Sequence, residues 1–232
     1  AVVAERGDRG PALGLLLDGF GLGDDGTAWG GELLFFDGDK TQRIGHLAPL
    51  RQPGGERSAR QPWRLATAVL AQMNLSDEAV RRFGSRWPVA PVVGIFRHSE
   101  VSPSTTACGR YFQVAAAILG VCESESYEAE AAMRLESLVD KAEPLAGGYE
   151  IVAALDRPTQ LDLSPLWRRL LDCSPKEGAA LFHGTLAAGL VALATPFLGR
   201  MDLSEVVLGG GCVMNRVLTE SLCAGFARQG IA

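Results

Sequence analysis

The chain has 232 residues, enough for one sizeable core or two modest lobes. An apolar share of 47% excludes general disorder, and 22 Lys and Arg against 27 Asp and Glu, a net charge of −5, excludes a global attraction for nucleic acid. The five cysteines (Cys108, Cys122, Cys173, Cys212 and Cys223) are odd in number, far apart and without a CxxC, which argues against a disulfide framework or zinc knuckle and for a reducing, cytoplasmic setting. No apolar run reads as long enough to span a bilayer, so no membrane partner is expected. No targeting segment is recognisable either: AVVAERGDRG reads as the end of a helix, cut in its middle.

In chain order, ALGLLL (12–17) is a short apolar run and predicts a buried strand. LDGFGLGDDGTAWGGE (17–32) follows with six glycines and three aspartates, either a turn between strands or a cradle for phosphates. The stretch after it carries a hairpin signal: a strand over 33–36, a turn at Asp37 and Gly38, and a return through 43–47. RQPGGERSARQPW reads as a loop, 64–73 has helical spacing, and 76–83 is a second, short helix. The segment 88–102 is open between a strand, for its β-branched residues, and a helix started by Pro91. GRYFQVAAAILG predicts an alanine-rich helix ending at Gly120. Ser126 is the expected N-cap of the next helix, over 127–142, whose acidic first turn suits the helix dipole. YEIVAAL reads as a strand. Helices are expected from Ser164-Pro165 and from the capping box SPKE at 174–177, the latter running to about residue 193. EVVLGGG is a strand entering glycines, and 215–230 closes with a helix. Strands and helices alternate in the second half, which indicates an α/β fold.

Two strand–glycine junctions carry the chemistry. The first joins Leu17, Asp18 and Gly19 with Gly21 and Gly23; the second joins Leu208 to Gly209, Gly210 and Gly211, with Asn215 just before a helix. Glycine lets backbone N–H groups approach a ligand, and such groups ahead of a helix make an anion site. Asp18 would orient a metal or water near phosphates, and Asn215 would bond a ribose or phosphate oxygen. Either junction alone reads equally as a turn; the pair suggests the two phosphate loops of the actin-like, RNase-H-like ATPase architecture. Cys108 sits at a helix N-terminus, where a thiolate is stabilised, but no histidine neighbours it as a base, and capping is the simpler role for the residues around it. Glu128 and Glu130 either compensate a helix dipole or face a ligand. His183 reads as a packed residue in mid-helix and His46 lies at a strand end, and three scattered histidines give no metal-ligand spacing. Trp29 and Trp63 read as core anchors, and Arg64 as a clamp for phosphate or carboxylate.

Taken together, LDGFGLGDDGTAWGGE, PGGERSARQPWR, CGRYF with VAAAILG, YEAEAAMRLE, FHGTLAAGL and LGGGCVMNRVL stand in the order and spacing of the HypF family. The chain resembles the C-terminal transferase domain of these hydrogenase-maturation carbamoyltransferases over nearly its whole length. That resemblance implies a two-lobed, actin-like (ASKHA-type) α/β fold, incomplete here. Residues 1–232 would form the partial core of the domain, with a cleft between the loops at 17–23 and 208–216. It implies ATP and carbamoyl phosphate as substrates, a carbamoyl-adenylate intermediate, and a HypE-like acceptor protein whose C-terminal cysteine receives the carbamoyl group. Leu17, Asp18, Gly19 and Gly21 fall in the first nucleotide or substrate loop; Gly210, Gly211 and Asn215 fall in the second; Glu128 and Glu130 fall where the family faces its cleft.

The departures are specific. Gln113 stands where the family carries an Asp, and an amide cannot act as a base. Ala107 replaces a serine and Ala129 a glycine. A divalent metal, zinc or iron, is expected for the family, but its ligands are absent from this chain: the histidine motif belongs upstream of 1 and an Asp-Gly-Gly downstream of 232. Two alternatives stay open. One is a small-molecule O-carbamoyltransferase of the same fold; the other is a non-catalytic nucleotide-binding or docking fragment. A tRNA-modifying relative fits less well with the acidic charge.

Overall fold

The structure is a computed structural model that describes residues 10–232, apart from 39 and 154. The helix end read in AVVAERGDRG falls on residues 1–9, outside the described residues. Leu13, Leu15 and Leu17 are fully buried and alternate along the chain, the period-two pattern of a strand with one face on a core. Strand β1 (Ala12–Leu22) does not stop at the glycines: it runs on through them and pairs antiparallel with β2 (Ala28–Asp37). The ladder breaks once. Leu17 faces Gly31 and Gly21 faces Trp29, so Asp18, Gly19 and Phe20 stand opposite the single residue Gly30. The expected loop at 17–23 is therefore corrected to a bulge inside a strand. The hairpin turn at Gly38 leads into β3 (Lys40–Leu47), antiparallel to β2, as the Asp-Gly signal predicts.

After the short β4 (Leu50–Arg51) come α1 (Glu56–Arg60), α2 (Pro62–Gln72) and α3 (Ser76–Phe83). The open segment at 88–102 is helical over α4 (Val89–Ile95), where Val89 and Val92 are buried one turn apart. β5 (Ser104–Thr105) then leads into α5 (Cys108–Ile118), the central helix of the layer against the sheet, with every residue from 111 to 118 buried. Its three consecutive alanines allow α2 to lie close against it.

Helix α6 (Glu130–Ser137) starts later than predicted, and Ser126 is not its cap. Ala129 takes the left-handed conformation at φ 61, and the Ser126 N–H donates to the Glu130 carboxylate at 2.5 Å. β6 (Glu150–Val152) keeps only the start of YEIVAAL; β7 (Thr159–Asp162) and α7 (Ser164–Leu170) follow. Helix α8 (Pro175–Met201) is capped by the Ser174 hydroxyl, which accepts from the Glu177 N–H at 3.3 Å, one half of a capping box; the Glu177 carboxylate pairs with Arg169 instead. At 27 residues α8 is long and apolar enough to cross a membrane by length and composition, contrary to the reading of the sequence. Its most apolar stretch is 67% buried inside the protein, so core packing accounts for that character. β8 (Val206–Gly209), a 3₁₀ turn (Gly211–Met214) and α9 (Arg216–Ala227) complete the chain.

The sheet runs β8–β1–β2–β3–β7–β6 by its pairings. β8 lies parallel to β1 and β7 parallel to β3, and β5 joins β2 in parallel at a single step, Ala28 with Thr105, and bridges it to β4. The strand–turn–helix at β8 thus lies directly beside the bulge in β1. That adjacency positions the site.

Candidate functional site: a cleft between two glycine junctions

The first wall of the site is the bulge. Gly30 permits it: its φ of 144 belongs to glycine, and a side chain there would meet the Asp18 carbonyl at 2.7 Å. Gly109, in the first turn of α5, lies so close to Gly19 that an added Cβ would stand 2.7 Å from the Gly19 Cα. What holds this arrangement is Glu32, only 2% exposed. Its carboxylate accepts from the N–H groups of Gly30 and Gly31 at 3.2 and 3.3 Å, from Arg43 Nε at 2.5 Å and from the Thr106 hydroxyl. The WGGE sequence therefore ties the bulge's partner strand to the residues leading into α5. Trp29 is not the core anchor expected. It lies half-buried at the hairpin end, donates to Asp25 at 3.0 Å and carries the Arg43 guanidinium 4.2 Å from its ring centre. Trp63 is such an anchor, buried and stacked on Trp87 at 5.4 Å.

The second wall is the β8 junction. Gly210 has φ 92, and a Cβ there would lie 2.3 Å from the Leu17 carbonyl oxygen, so the two junctions touch through backbone alone. Gly211 is open on the cleft side, where an added Cβ would come 3.3 Å from the Asp18 carboxylate. Asn215 caps α9: its Oδ1 accepts from the Leu218 N–H at 2.9 Å. Glu136 of α6 accepts from the Arg216 N–H at 2.9 Å. Two N–H groups of that helix start are thus already taken by protein, which limits the backbone anion site expected there.

Between the walls lies a cleft of about 1000 Å³. Among the sequence candidates, Asp18, Gly19, Gln113, Glu128, Gly211 and Asn215 line it. The others do not. Leu17 is a fully buried core residue, Gly21 faces Trp29 in the hairpin, and Gly210 is spent on the contact with Leu17. Glu130, 2% exposed, is bound by Arg134 at 2.5 Å and by the Ser126 N–H, so it braces the wall from behind. Gln113 is engaged rather than free: its amide donates to the Ala59 carbonyl at 2.7 Å and to Glu125, and accepts from Arg110.

Sequence reasoning missed Arg110, Glu125 and Arg60, all of which line the cleft. Arg110 bridges the Gly19 and Ala59 carbonyls, both at 3.2 Å. Burial pulls its pKa down, while Glu125 and Glu128 pull against that. Glu125 has its pKa raised by burial, partly offset by the N–H of Ala131 and by Gln113. The signal for Arg110 was present in GRYF, where an arginine in the first turn of a buried helix must have a partner. Arg64, the expected clamp, is outside the cleft; it donates to Gln61 at 2.6 Å and stacks on Trp63.

Cys108 is fully buried, and its thiol is pushed well above the ordinary range by its hydrogen bond to Cys212 and by burial, the wrong direction for a nucleophile. His46 is packed and bonded to the Leu47 carbonyl at 2.8 Å, with its pKa lowered by burial. Among the described residues no group of three or more His, Cys, Asp or Glu is placed to hold a metal ion. A second groove, of about 770 Å³, lies between α8 and α9 and is floored by small apolar residues such as Ala188, Ala192 and Ala224; none of the sequence candidates lines it.

A mixed sheet with two glycine junctions closing on one polar cleft defines an α/β protein of the actin-like, Kae1-like class. The chain belongs to the family described as carbamoyltransferase, Kae1-like domain, second subdomain, which matches residues 14–232. It is 40% identical over its full length to carbamoyltransferase HypF2 of Cupriavidus necator and 42% identical to carbamoyltransferase HypF of Rhizobium leguminosarum bv. viciae. It spans about a third of those relatives, 32% and 30% of their lengths. A crystal structure of full-length HypF in the phosphate- and nucleotide-bound form superposes with a TM-score of 0.88 at 26% identity, covering 99% of this chain and 37% of that one. The fold is also shared with HypF of T. kodakarensis, at a TM-score of 0.82 and 22% identity.

Proposed function

We propose that the chain is the nucleotide- and substrate-binding core of a HypF-type carbamoyltransferase of hydrogenase maturation, working in the cytoplasm. The observation that carries this reading is the contact of the two glycine junctions. It sets the Asp18 carboxylate beside Gly211 at the floor of a cleft sized for a nucleotide. The phosphate- and nucleotide-bound form of a structural relative supports it.

In this reading carbamoyl phosphate loses its phosphate to water, the carbamate oxygen attacks the α-phosphorus of ATP with release of pyrophosphate, and the carbamoyl-adenylate so formed sits in the cleft. The thiol of the C-terminal cysteine of a HypE-like acceptor then attacks its carbonyl carbon, and AMP leaves with the bonding electron pair. No nucleophile from this chain is needed, which agrees with the buried, protonated Cys108. Asp18 and the open face at Gly211 would receive the phosphates together with the cation that accompanies ATP. Arg110 holds the wall by its two carbonyl contacts, and Arg60 offers a positive charge at the rim. The divalent metal of the family carries no step here.

The test is transfer of label from carbamoyl phosphate, with ATP, to a HypE-like protein or to hydroxylated small molecules. Label on the acceptor's C-terminal cysteine supports the proposal, and label on a hydroxyl supports an O-carbamoyltransferase. Binding of ATP without any transfer supports a non-catalytic nucleotide-binding fragment. The full engagement of Gln113 favours that second reading, since no base is offered at that position.

A further inference from the structure

His183 is a buried titratable group that the proposed chemistry does not use. It sits in the middle of α8 with no exposed surface, and the rings of Phe112 and Phe182 meet it edge-on with centroids 5.5 Å away. Only its two nitrogens find polar partners. Nδ1 lies 2.8 Å from the Ala179 carbonyl oxygen, one turn back in the same helix. Nε2 lies 3.3 Å from Nδ2 of Asn215, on the cleft wall.

A carbonyl oxygen only accepts, so Nδ1 must carry the proton and donate to Ala179. Burial holds the ring's pKa at about 4, so it is neutral near pH 7 and Nε2 has a lone pair. Nε2 must then accept, and only the nitrogen end of the Asn215 amide can donate to it. At the other end of that amide, Oδ1 must accept the Leu218 N–H. Two independent constraints thus fix the same orientation of an amide that would otherwise be free to turn over. Among the described residues no second acceptor takes the other N–H of this amide, and Asn215 lines the cleft.

We infer that His183 is a positioning residue: it orients the Asn215 amide so that a hydrogen-bond donor, not an acceptor, faces the ligand. The group recognised there is an acceptor oxygen, of phosphate or ribose type. The inference rests on the proposed function only for the ligand; the orientation stands on the geometry of this chain.

The experiment uses ¹⁵N-labelled protein, wild type and the variants His183→Leu, His183→Gln and Asn215→Ala. A long-range ¹H–¹⁵N spectrum at pH 7 is expected to show His183 neutral and protonated on Nδ1; protonation on Nε2, or an imidazolium, overturns the inference. The Asn215 side-chain NH₂ pair should be dispersed in wild type and in His183→Gln, whose amide can donate and accept as the ring does. It should collapse toward solvent values in folded His183→Leu. With ATP as ligand, affinity should fall at least about tenfold in His183→Leu and by a similar factor in Asn215→Ala, and return to within about threefold of wild type in His183→Gln, a tenfold change being about 1.4 kcal/mol. An unchanged Asn215 signal or unchanged affinity in folded His183→Leu contradicts it. If the wild type binds no ATP, the proposed function fails while the tautomer and the NH₂ pair still decide the positioning role.

Discussion

The two glycine junctions look alike in sequence and are built differently. The first is a bulge inside a continuous strand pair, where Asp18, Gly19 and Phe20 swell outward against Gly30. It is held from outside by a buried carboxylate, Glu32, with Arg43 and Thr106. The second is a true strand-to-helix junction, held by a positive-φ glycine against the Leu17 carbonyl and by Asn215 as helix cap. The difference teaches that a run of glycines reports on close approach, not on a loop. Some of these glycines serve the fold and others serve the cleft.

Breaking the first junction at its support should have the largest effect. Glu32→Ala leaves Arg43 and two backbone N–H groups without their buried acceptor. A loss of about 3–5 kcal/mol in urea denaturation is expected, because two backbone N–H groups and the Arg43 Nε lose a buried acceptor, although Arg43 keeps Asp25 at 3.6 Å. Gly210→Ala breaks the second junction. A methyl at φ 92, 2.3 Å from the Leu17 oxygen, should cost about 3 kcal/mol by the same assay and shift the β1–β8 pairing.

Acid tests the relay behind the second junction. His183 has its pKa lowered to about 4 from 6.5, so the unfolded chain binds the proton more readily than the folded one. Stability should be unaffected by this group above pH 6.5 and fall as pH drops from 6.5 to 4, by up to about 3 kcal/mol. The slope should flatten in His183→Gln, measured by denaturation at a series of pH values. Gly19→Ala sharpens the comparison with the smallest change in stability. Nothing lies within 4 Å of its added Cβ, so stability should move by less than about 0.5 kcal/mol. ATP binding should weaken, since the methyl enters the cleft; unchanged binding would take Gly19 out of the site.

The regular elements were legible because their signals are local. Ser174 and Glu177 announce α8, the helix over 76–83 follows its spacing, and Asp37-Gly38 announces the β2–β3 turn. The bulge was not legible, because it depends on what stands opposite: only Gly30, on the partner strand, makes room for the extra residues. Arg110 was passed over for a related reason, since its contact with Gly19 spans 91 positions. Ser126 misled because its neighbour Glu125 supplies the side-chain acceptor instead, taking the Ala131 N–H in the first turn of α6 at 2.9 Å. The site was half visible. Glycines and polar residues at the junctions pointed to it, but which of them face the cleft was settled by burial and pairing, as Leu17 and Glu130 show.

The central claim is that both junctions wall one nucleotide site. Titrating ATP with magnesium into the folded, ¹⁵N-labelled chain and following backbone amide shifts tests it most directly. Saturable shifts concentrated at Gly19, Gly109 and Gly211 are predicted. Shifts confined to the groove between α8 and α9, around Ala192 and Ala224, or no shifts at all in the folded protein, would contradict it.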